Sequence, residues 1–262
     1  MDELHDFIDF EKDYGENFKV YWNGNAVYKH IIHSKKPFFM IFFEPRVGTG
    51  LWTKSHYDIL ILLQQEAIQK KPALLQTILD IGEWRVKRMD IAFDWSIPIT
   101  QHFMWRNGNV RKDTFQNNQN YYLYGKRNES RAVMYDKKLQ LNNKKNIEIP
   151  DEHLTRLEVR IRPKLKNQSA NATNLEWLKK HLDKFVFVEN VVKLSRSLKG
   201  QDKKAFRALR RNANMDWLAY GGDSVKRRIR QKAKEQSVNL FDLFVAHGAE
   251  RDIIWKAKTL TA

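Results

Sequence analysis

Three short stretches hold residues whose types and spacing suit one chemistry. Residues 131–138 read RAVMYDKK, a β-like run dense with cations around a single tyrosine, Tyr135. Residues 88–95 read RMDIAFDW and carry Asp90 and Asp94; residues 154–162 read LTRLEVRIR and set Glu158 among Arg156, Arg160 and Arg162. A tyrosine hydroxyl can attack phosphorus, carboxylates can hold a divalent cation, and guanidinium groups can grip phosphate. Together these are the parts needed to cut a phosphodiester through a covalent intermediate. A phenol ionises near pH 10, so it needs nearby cations or a metal to become nucleophilic at neutral pH. Arg131 and Lys137 lie at even spacing from Tyr135, which predicts that they share its strand face and favour the phenolate.

The elements that must position these groups are strands. Over residues 84–95, Met89, Ile91, Phe93 and Trp95 alternate with Arg88, Asp90, Ala92 and Asp94, so both aspartates point to one face. Four residues separate them by about 13 Å, too far for both to hold one ion, and which of the two would serve a metal stays open. Over residues 154–162, Leu157, Val159 and Ile161 are predicted to face the core, with Arg156, Glu158, Arg160 and Arg162 opposite. Residues 121–124 and 131–137 form two further strands around a turn, GKRNES, that carries Lys126 and Arg127. Residues 97–120 are polar and read as a loop bearing Trp105, Arg106 and Arg111.

Toward the N-terminus, residues 18–22 and 26–33 flank Asn23-Gly24-Asn25 as a hairpin, and 38–43 (FFMIFF) reads as a strand covered on both faces. Residues 53–70 are predicted helical, with Ser55 and Asp58 as a capping box, and 74–81 as a short helix. His30 and His33 would fall on opposite strand faces, which argues against a metal pair. After Pro163 the pattern turns helical: 174–189 places Leu175, Leu178, Leu182 and Phe185 at helical spacing. The expected fold class is therefore α+β. An antiparallel sheet in residues 1–165 carries the active site, and a helical basic region in 166–262 contacts DNA and serves any dimerisation.

Composition narrows the partner. With 262 residues, 42% hydrophobic and 12% aromatic, the chain has core-building material and is not disordered as a whole. Lys and Arg number 47 against 31 Asp and Glu, a net charge of +16, the footprint of a protein that meets polyphosphate. A membrane is the lesser anion: no apolar run approaches the roughly 20 residues of a span, and the N-terminus is acidic and lacks a signal-peptide layout. The absence of cysteine excludes disulfides and thiolate metal sites and suits a reducing compartment such as the cytoplasm. Residues 196–234 hold thirteen Lys and Arg against three Asp, ten of the sixteen net charges. Arg207, Arg210, Arg211, Lys226, Arg227, Arg228 and Arg230 are the expected DNA contacts there, and a solvated helix face is the plain alternative.

In order and wording, RMDIAFD, then YYLYGKRNESRAVMYDKK, then HLTRLEVRIR resemble the replication initiators of rolling-circle plasmids related to the staphylococcal tetracycline-resistance plasmids. Kindred proteins are filamentous-phage initiators and relaxases of integrative elements. The resemblance spans residues 84–162, under a third of the chain. It implies that Tyr135 is the nicking tyrosine and forms a 5′-phosphotyrosyl link that frees a 3′-OH. It further implies that Asp90 or Asp94, with Glu158, holds Mg2+ or Mn2+, and that Arg88, Arg156 and Lys137 handle the phosphate. Lys126, Arg127, Arg131 and Arg160 join as DNA contacts. The implied partner is origin DNA at a single-stranded or hairpin nick site; a host helicase and a homodimer are admitted, though no residue carries either. The chain departs from the family in being short for a plasmid initiator, which leaves a mobile-element relaxase of the same chemistry open. Two readings of other classes stand beside it: a non-enzymatic DNA-binding initiator or repressor, and a hydrolytic nuclease that uses Asp90 and Glu158 on water.

Overall fold

The computed structural model describes residues 18–21, 27–35, 38–45, 59–70, 77, 84–106, 110–116, 120–125, 130–145, 154–163, 174–211 and 215–248. The chain forms two compact units, residues 1–83 with 258–262, and residues 84–257.

In the first unit, β1 (Phe18–Tyr21), β2 (Tyr28–Lys35), β3 (Phe38–Pro45) and β4 (Ile59–Leu63) form an antiparallel sheet in that order. The expected hairpin is present, with Phe18 opposite Ser34 and Tyr21 opposite Ile31, although its turn lies outside the described residues. Along β3, Phe39, Ile41 and Phe43 are buried while Phe38, Met40 and Phe42 are half-buried, so the apolar run is covered fully on one face and partly on the other. His30 and His33 each lie beside a phenylalanine ring of β3, Phe43 and Phe38 respectively.

One expectation fails here. Ile59-Leu60-Ile61-Leu62-Leu63 is a strand paired with β3, Phe43 opposite Ile59 and Phe39 opposite Leu63, rather than the middle of a helix. A branched aliphatic run fits a pleated surface beside FFMIFF better than a helix surface, and the helix α1 (Gln65–Lys70) begins only afterwards. The expected cap at Ser55 and Asp58 lies outside the described residues, as does all of 74–81 except Thr77, which is helical.

The second unit is built on a five-stranded antiparallel sheet in the order β5 (Met89–Trp95), β10 (Thr155–Ile161), β9 (Ser130–Asp136), β8 (Asn120–Gly125), β7 (Val110–Gln116). Alternation sends Ile91, Phe93, Leu123, Ala132, Met134, Leu157, Val159 and Ile161 to one face. That face packs against Leu178 and Leu182 of α3 (Leu175–Leu182), Phe185 and Phe187 of β11 (Phe185–Val188), and Leu240 and Phe244 of α7 (Leu240–Ala246). The opposite face is free to carry polar groups.

The segment expected to be a loop is structured: a 3-10 turn at Ile99–Gln101, then β6 (Phe103–Arg106) and β7. Its polarity misleads because β7 is a sheet edge, whereas Phe103, Met104 and Trp105 are buried. The helix expected over 174–189 stops at Leu182, and Phe185-Val186-Phe187-Val188 pairs antiparallel with β6. This two-stranded ribbon lies between two cores. Phe185, Phe187 and Met104 face the sheet core, while Val186, Val188, Phe103 and Trp105 join α4 (Val191–Ser197), α5 (Gly200–Arg211) and α6 (Gly222–Glu235). A strand buried on both sides shows no alternation, so its apolar run passed for a helix turn.

The fold is α+β with antiparallel sheets. The compositional boundary drawn at 165/166 falls inside the second unit, because α3, β11 and α7 complete the core of the sheet. Among the described residues, no helix is long and apolar enough to cross a membrane.

Candidate active site

The polar sheet face is organised by β10, which pairs with β5 on one side and β9 on the other. Arg156 stands between Asp94 and Tyr135, Glu158 between Ala92 and Val133, and Arg160 between Asp90 and Arg131. Glu158 thus has an alanine directly across from it and the two aspartates as its diagonal neighbours, one on each side. The residue that lies across from Asp90 is therefore not Glu158: Arg160 takes that position, and Tyr135, Glu158, Arg156 and Asp94 lie close together instead.

Two ion-pair groups result. At one end Arg156 binds Asp94 with both arms of its fork, Nε to Oδ1 at 2.7 Å and NH2 to Oδ2 at 2.6 Å. Lys137 Nζ lies 3.8 Å from the same carboxylate. Burial opposes ionisation of Asp94, but the Arg156 hydrogen bonds and the charges of Arg156 and Lys137 outweigh it and hold the carboxyl below its ordinary range. At the other end Asp90 takes Arg88, whose Nε approaches Oδ1 at 2.8 Å, and Arg160, whose Nε is 3.2 Å from Oδ2. Arg162 adds to this corner: burial, then the charges of Arg131, Arg88 and Arg160, lower its pKa. Arg88, Arg131, Arg160 and Arg162 thus gather near one aspartate.

Tyr135 stands at the Asp94 end, across from Arg156, and reaches toward Glu158 midway between the two groups. Its hydroxyl donates to Glu158 Oε1 at 2.6 Å, a charge-assisted bond, and the ring is half-buried. Burial first, then the Glu158 hydrogen bond and charge, push the phenol pKa upward; Arg156 opposes this without prevailing. The expected depression by Arg131 and Lys137 does not occur. Glu158 is the group in contact with the hydroxyl, and a carboxylate there stabilises the protonated phenol. The same carboxylate is a proton acceptor at hydrogen-bond distance, while the raised pKa makes loss of that proton costlier than in a free phenol.

Lys137 is also not a strand residue. β9 ends at Asp136, whose Oδ1 accepts the Leu139 amide at 2.9 Å and caps α2 (Lys137–Lys145). The Lys137 amide donates to the Leu154 carbonyl at 2.8 Å, tying the helix start to the strand before the site. Lys137 thus reaches Asp94 from a helix N-terminus. Burial and the nearby Arg156 charge lower its ammonium pKa despite Asp94 and Glu158. The sequence signal was available, an aspartate directly ahead of KKLQL, but Tyr135 drew the reading toward a continuous strand.

As placed, Asp90, Asp94 and Glu158 do not fit a divalent-ion centre. Both aspartates are held by arginines, Glu158 accepts from Tyr135, and the described residues contain no group of three His, Asp or Glu side chains able to hold a metal.

Of the expected DNA contacts, Lys126 and Arg127 lie outside the described residues. Several others are engaged within the fold. Arg228 forks onto Asp202 (2.7 Å), Arg210 NH2 donates to the Thr100 carbonyl (2.7 Å), Arg230 stacks on Trp105 (4.5 Å), and Lys226 lies over Trp217 (5.6 Å). Arg207, Arg211 and Arg227 are exposed and make no ion pair among the described residues.

A solved rolling-circle replication initiator protein from Geobacillus stearothermophilus superposes on this chain with a TM-score of 0.32 and 13% sequence identity. The match covers 56% of this chain and 60% of that one, less than two thirds of its length. So loose a likeness assigns neither fold nor activity. No family model matches the chain, and no curated protein matches it.

Proposed function

We propose that this protein is a replication initiator that nicks DNA by tyrosine transesterification, with Tyr135 as the nucleophile. The observation that carries the reading is the 2.6 Å hydrogen bond from the Tyr135 hydroxyl to Glu158, on a sheet face where Arg88, Arg156, Arg160 and Lys137 gather around Asp90 and Asp94. Tyr135 Oη forms a bond to phosphorus as the P–O3′ bond breaks, and its proton passes to Glu158. The departing 3′-oxygen takes a proton from Lys137, whose lowered pKa makes it a readier donor. Arg156, fixed by Asp94, is positioned to neutralise the charge that develops on phosphorus. The corner of Arg88, Arg131, Arg160 and Arg162 suits a second phosphate of the same strand. The 5′ polarity of the phosphotyrosyl link rests on the resemblance of the three motifs to rolling-circle initiators.

Mg2+ or Mn2+ belongs to this proposal only as an activator whose requirement the assay reads, and no step above passes through it. The pairing of Asp90 with Arg88 and Arg160 disfavours a hydrolytic nuclease working through Asp90 and Glu158.

The test is incubation with supercoiled plasmid DNA in Mg2+ or Mn2+. Nicked circles that carry protein, resist a 5′→3′ exonuclease and prime a polymerase from the 3′ end support the reading. Nicked circles with two free ends make it a hydrolase, and binding without nicking makes it a binding protein.

A further inference from the structure

The face of the five-stranded sheet that carries Tyr135 continues past β9. Leu123 of β8 is buried in the sheet core, so Tyr122 before it faces the other way, onto the side of the candidate site. Register puts Tyr122 across from Val133, and Val133 across from Glu158. Asn120 stands across from Tyr135, which makes Tyr122 the diagonal neighbour of Tyr135 on the adjoining strand. Tyr122 and Val133 are both half-buried.

A half-buried strand tyrosine is ordinary by itself; the surface around this one is divided. On β5 and β10 the face is ionic, with Asp90, Asp94, Arg156, Glu158 and Arg160. The row of Glu158 continues onto β9 and β8 as Val133 and Tyr122, an aliphatic and aromatic strip beside the Tyr135 ring, and Arg131 closes the row of Arg160. β8 and β10 lie two strand spacings apart, about 10 Å, a span that one nucleotide bridges from its phosphate to its base. An unpaired polynucleotide presents the same two edges, an anionic backbone and flat apolar bases. A duplex keeps those flat faces stacked inside, where a side chain on a sheet cannot cover them.

We propose that Tyr122 stacks on an unpaired nucleobase next to the phosphate that Tyr135 attacks, so that the sheet face takes single-stranded DNA with its backbone over β10 and that base over β8. The inference rests on the nicking reading above and adds a base-binding residue to the same face.

The test uses three single strands of about 12 nucleotides: thymidine throughout, the same strand with abasic sugars so that only the phosphates remain, and one carrying 5-iodouracil for photo-cross-linking. The wild-type protein is expected to bind the thymidine strand about tenfold more tightly than the abasic one, and irradiation should join 5-iodouracil to Tyr122. Tyr122→Ala should bind the thymidine strand about tenfold more weakly and the abasic strand as the wild type does, with the salt dependence unchanged. Tyr122→Trp, which keeps a stacking face, should restore the preference for bases. The cross-link is read on the wild type, so it decides the matter even where Tyr122→Ala fails to fold. Equal wild-type affinity for the thymidine and abasic strands, binding of duplex alone, or cross-linking confined to other residues overturns the stacking site and leaves the Tyr135 chemistry standing. A cross-link at Tyr122 in a protein that never nicks supports this inference and overturns the proposed function. Failure of the wild type to bind DNA at all overturns both.

Discussion

The second unit carries cations in two places and treats them differently. On the sheet face, Arg88, Arg156 and Arg160 each meet an aspartate, and two of the three pairings use the guanidinium fork. On α5 and α6, Arg228 and Lys232 are paired, whereas Arg207, Arg211 and Arg227 project into solvent without partners among the described residues. Partly exposed pairs of this kind stabilise a fold by at most about 1 kcal/mol each, so their larger effect on the sheet is to fix side chains in place. Unpaired surface charges fix nothing locally; they attract a polyanion from a distance and are screened by salt. One region is thus ordered for chemistry and the other for binding, and each responds to a different perturbation.

The largest separation between the two should come from Tyr135→Phe. Only a hydroxyl is lost, so nicking and covalent attachment disappear while duplex affinity stays within about twofold. Glu158→Gln comes next: without the acceptor at 2.6 Å, the single-turnover nicking rate should fall by about 10²–10⁴. The same variant asks whether Glu158 serves a metal. A defect that excess Mn2+ cannot relieve fits the proton-acceptor role, and full rescue by Mn2+ transfers Glu158 to metal binding.

On the helices the readout is salt. Replacing Arg207, Arg211 and Arg227 by Gln should reduce the log–log slope of affinity against salt by about one for each phosphate no longer neutralised. Arg228→Gln, Arg230→Gln and Lys232→Gln together should change the slope less and lower the melting midpoint instead, because those groups meet Asp202, Trp105 and Glu235. If the two triple variants behave alike, the division of the helix cations collapses.

The smallest effects are those of pH on stability. Asp94 has its pKa held down in the fold, so its contribution is present above the ordinary carboxylate value near 4 and is lost as pH falls through the lower folded value. His102, buried between the rings of Trp95 and Phe187, is also held down, by burial. Its contribution is present above about 6.5 and is lost as pH falls below that value. Thermal melts should show Asp94→Asn removing the lower limb of acid destabilisation and His102→Asn the upper one, each by about 2 °C.

The site was legible in the sequence where period-two alternation met chemistry: Asp90 with Asp94, and Arg156 with Glu158 and Arg160, fall on the predicted face. What alternation cannot supply is register, and register decided that Glu158 contacts Tyr135 while Asp90 meets Arg160. The phenol therefore faces a carboxylate where lone cations were expected, and its pKa moves the opposite way. The misread elements share a cause. Ile59–Leu63 and Phe185–Val188 are apolar without interruption, and a short apolar run has the same signature in a helix turn as in a covered strand. Residues 110–116 failed from the other side, a polar edge strand that resembles a loop when read alone. The basic helices were visible as charge, but the division into paired and free cations needed Asp202, Trp105 and Thr100, which are distant in sequence.

The central claim is that Tyr135 becomes bonded to DNA. Trapping the nicked product, digesting it with protease and nuclease, and sequencing the nucleotide-bearing peptide tests this most directly. A phosphotyrosine at Tyr135, within the peptide around AVMYDK, is the expected result. A nucleotide on any other residue, or covalent product still formed by Tyr135→Phe, contradicts it.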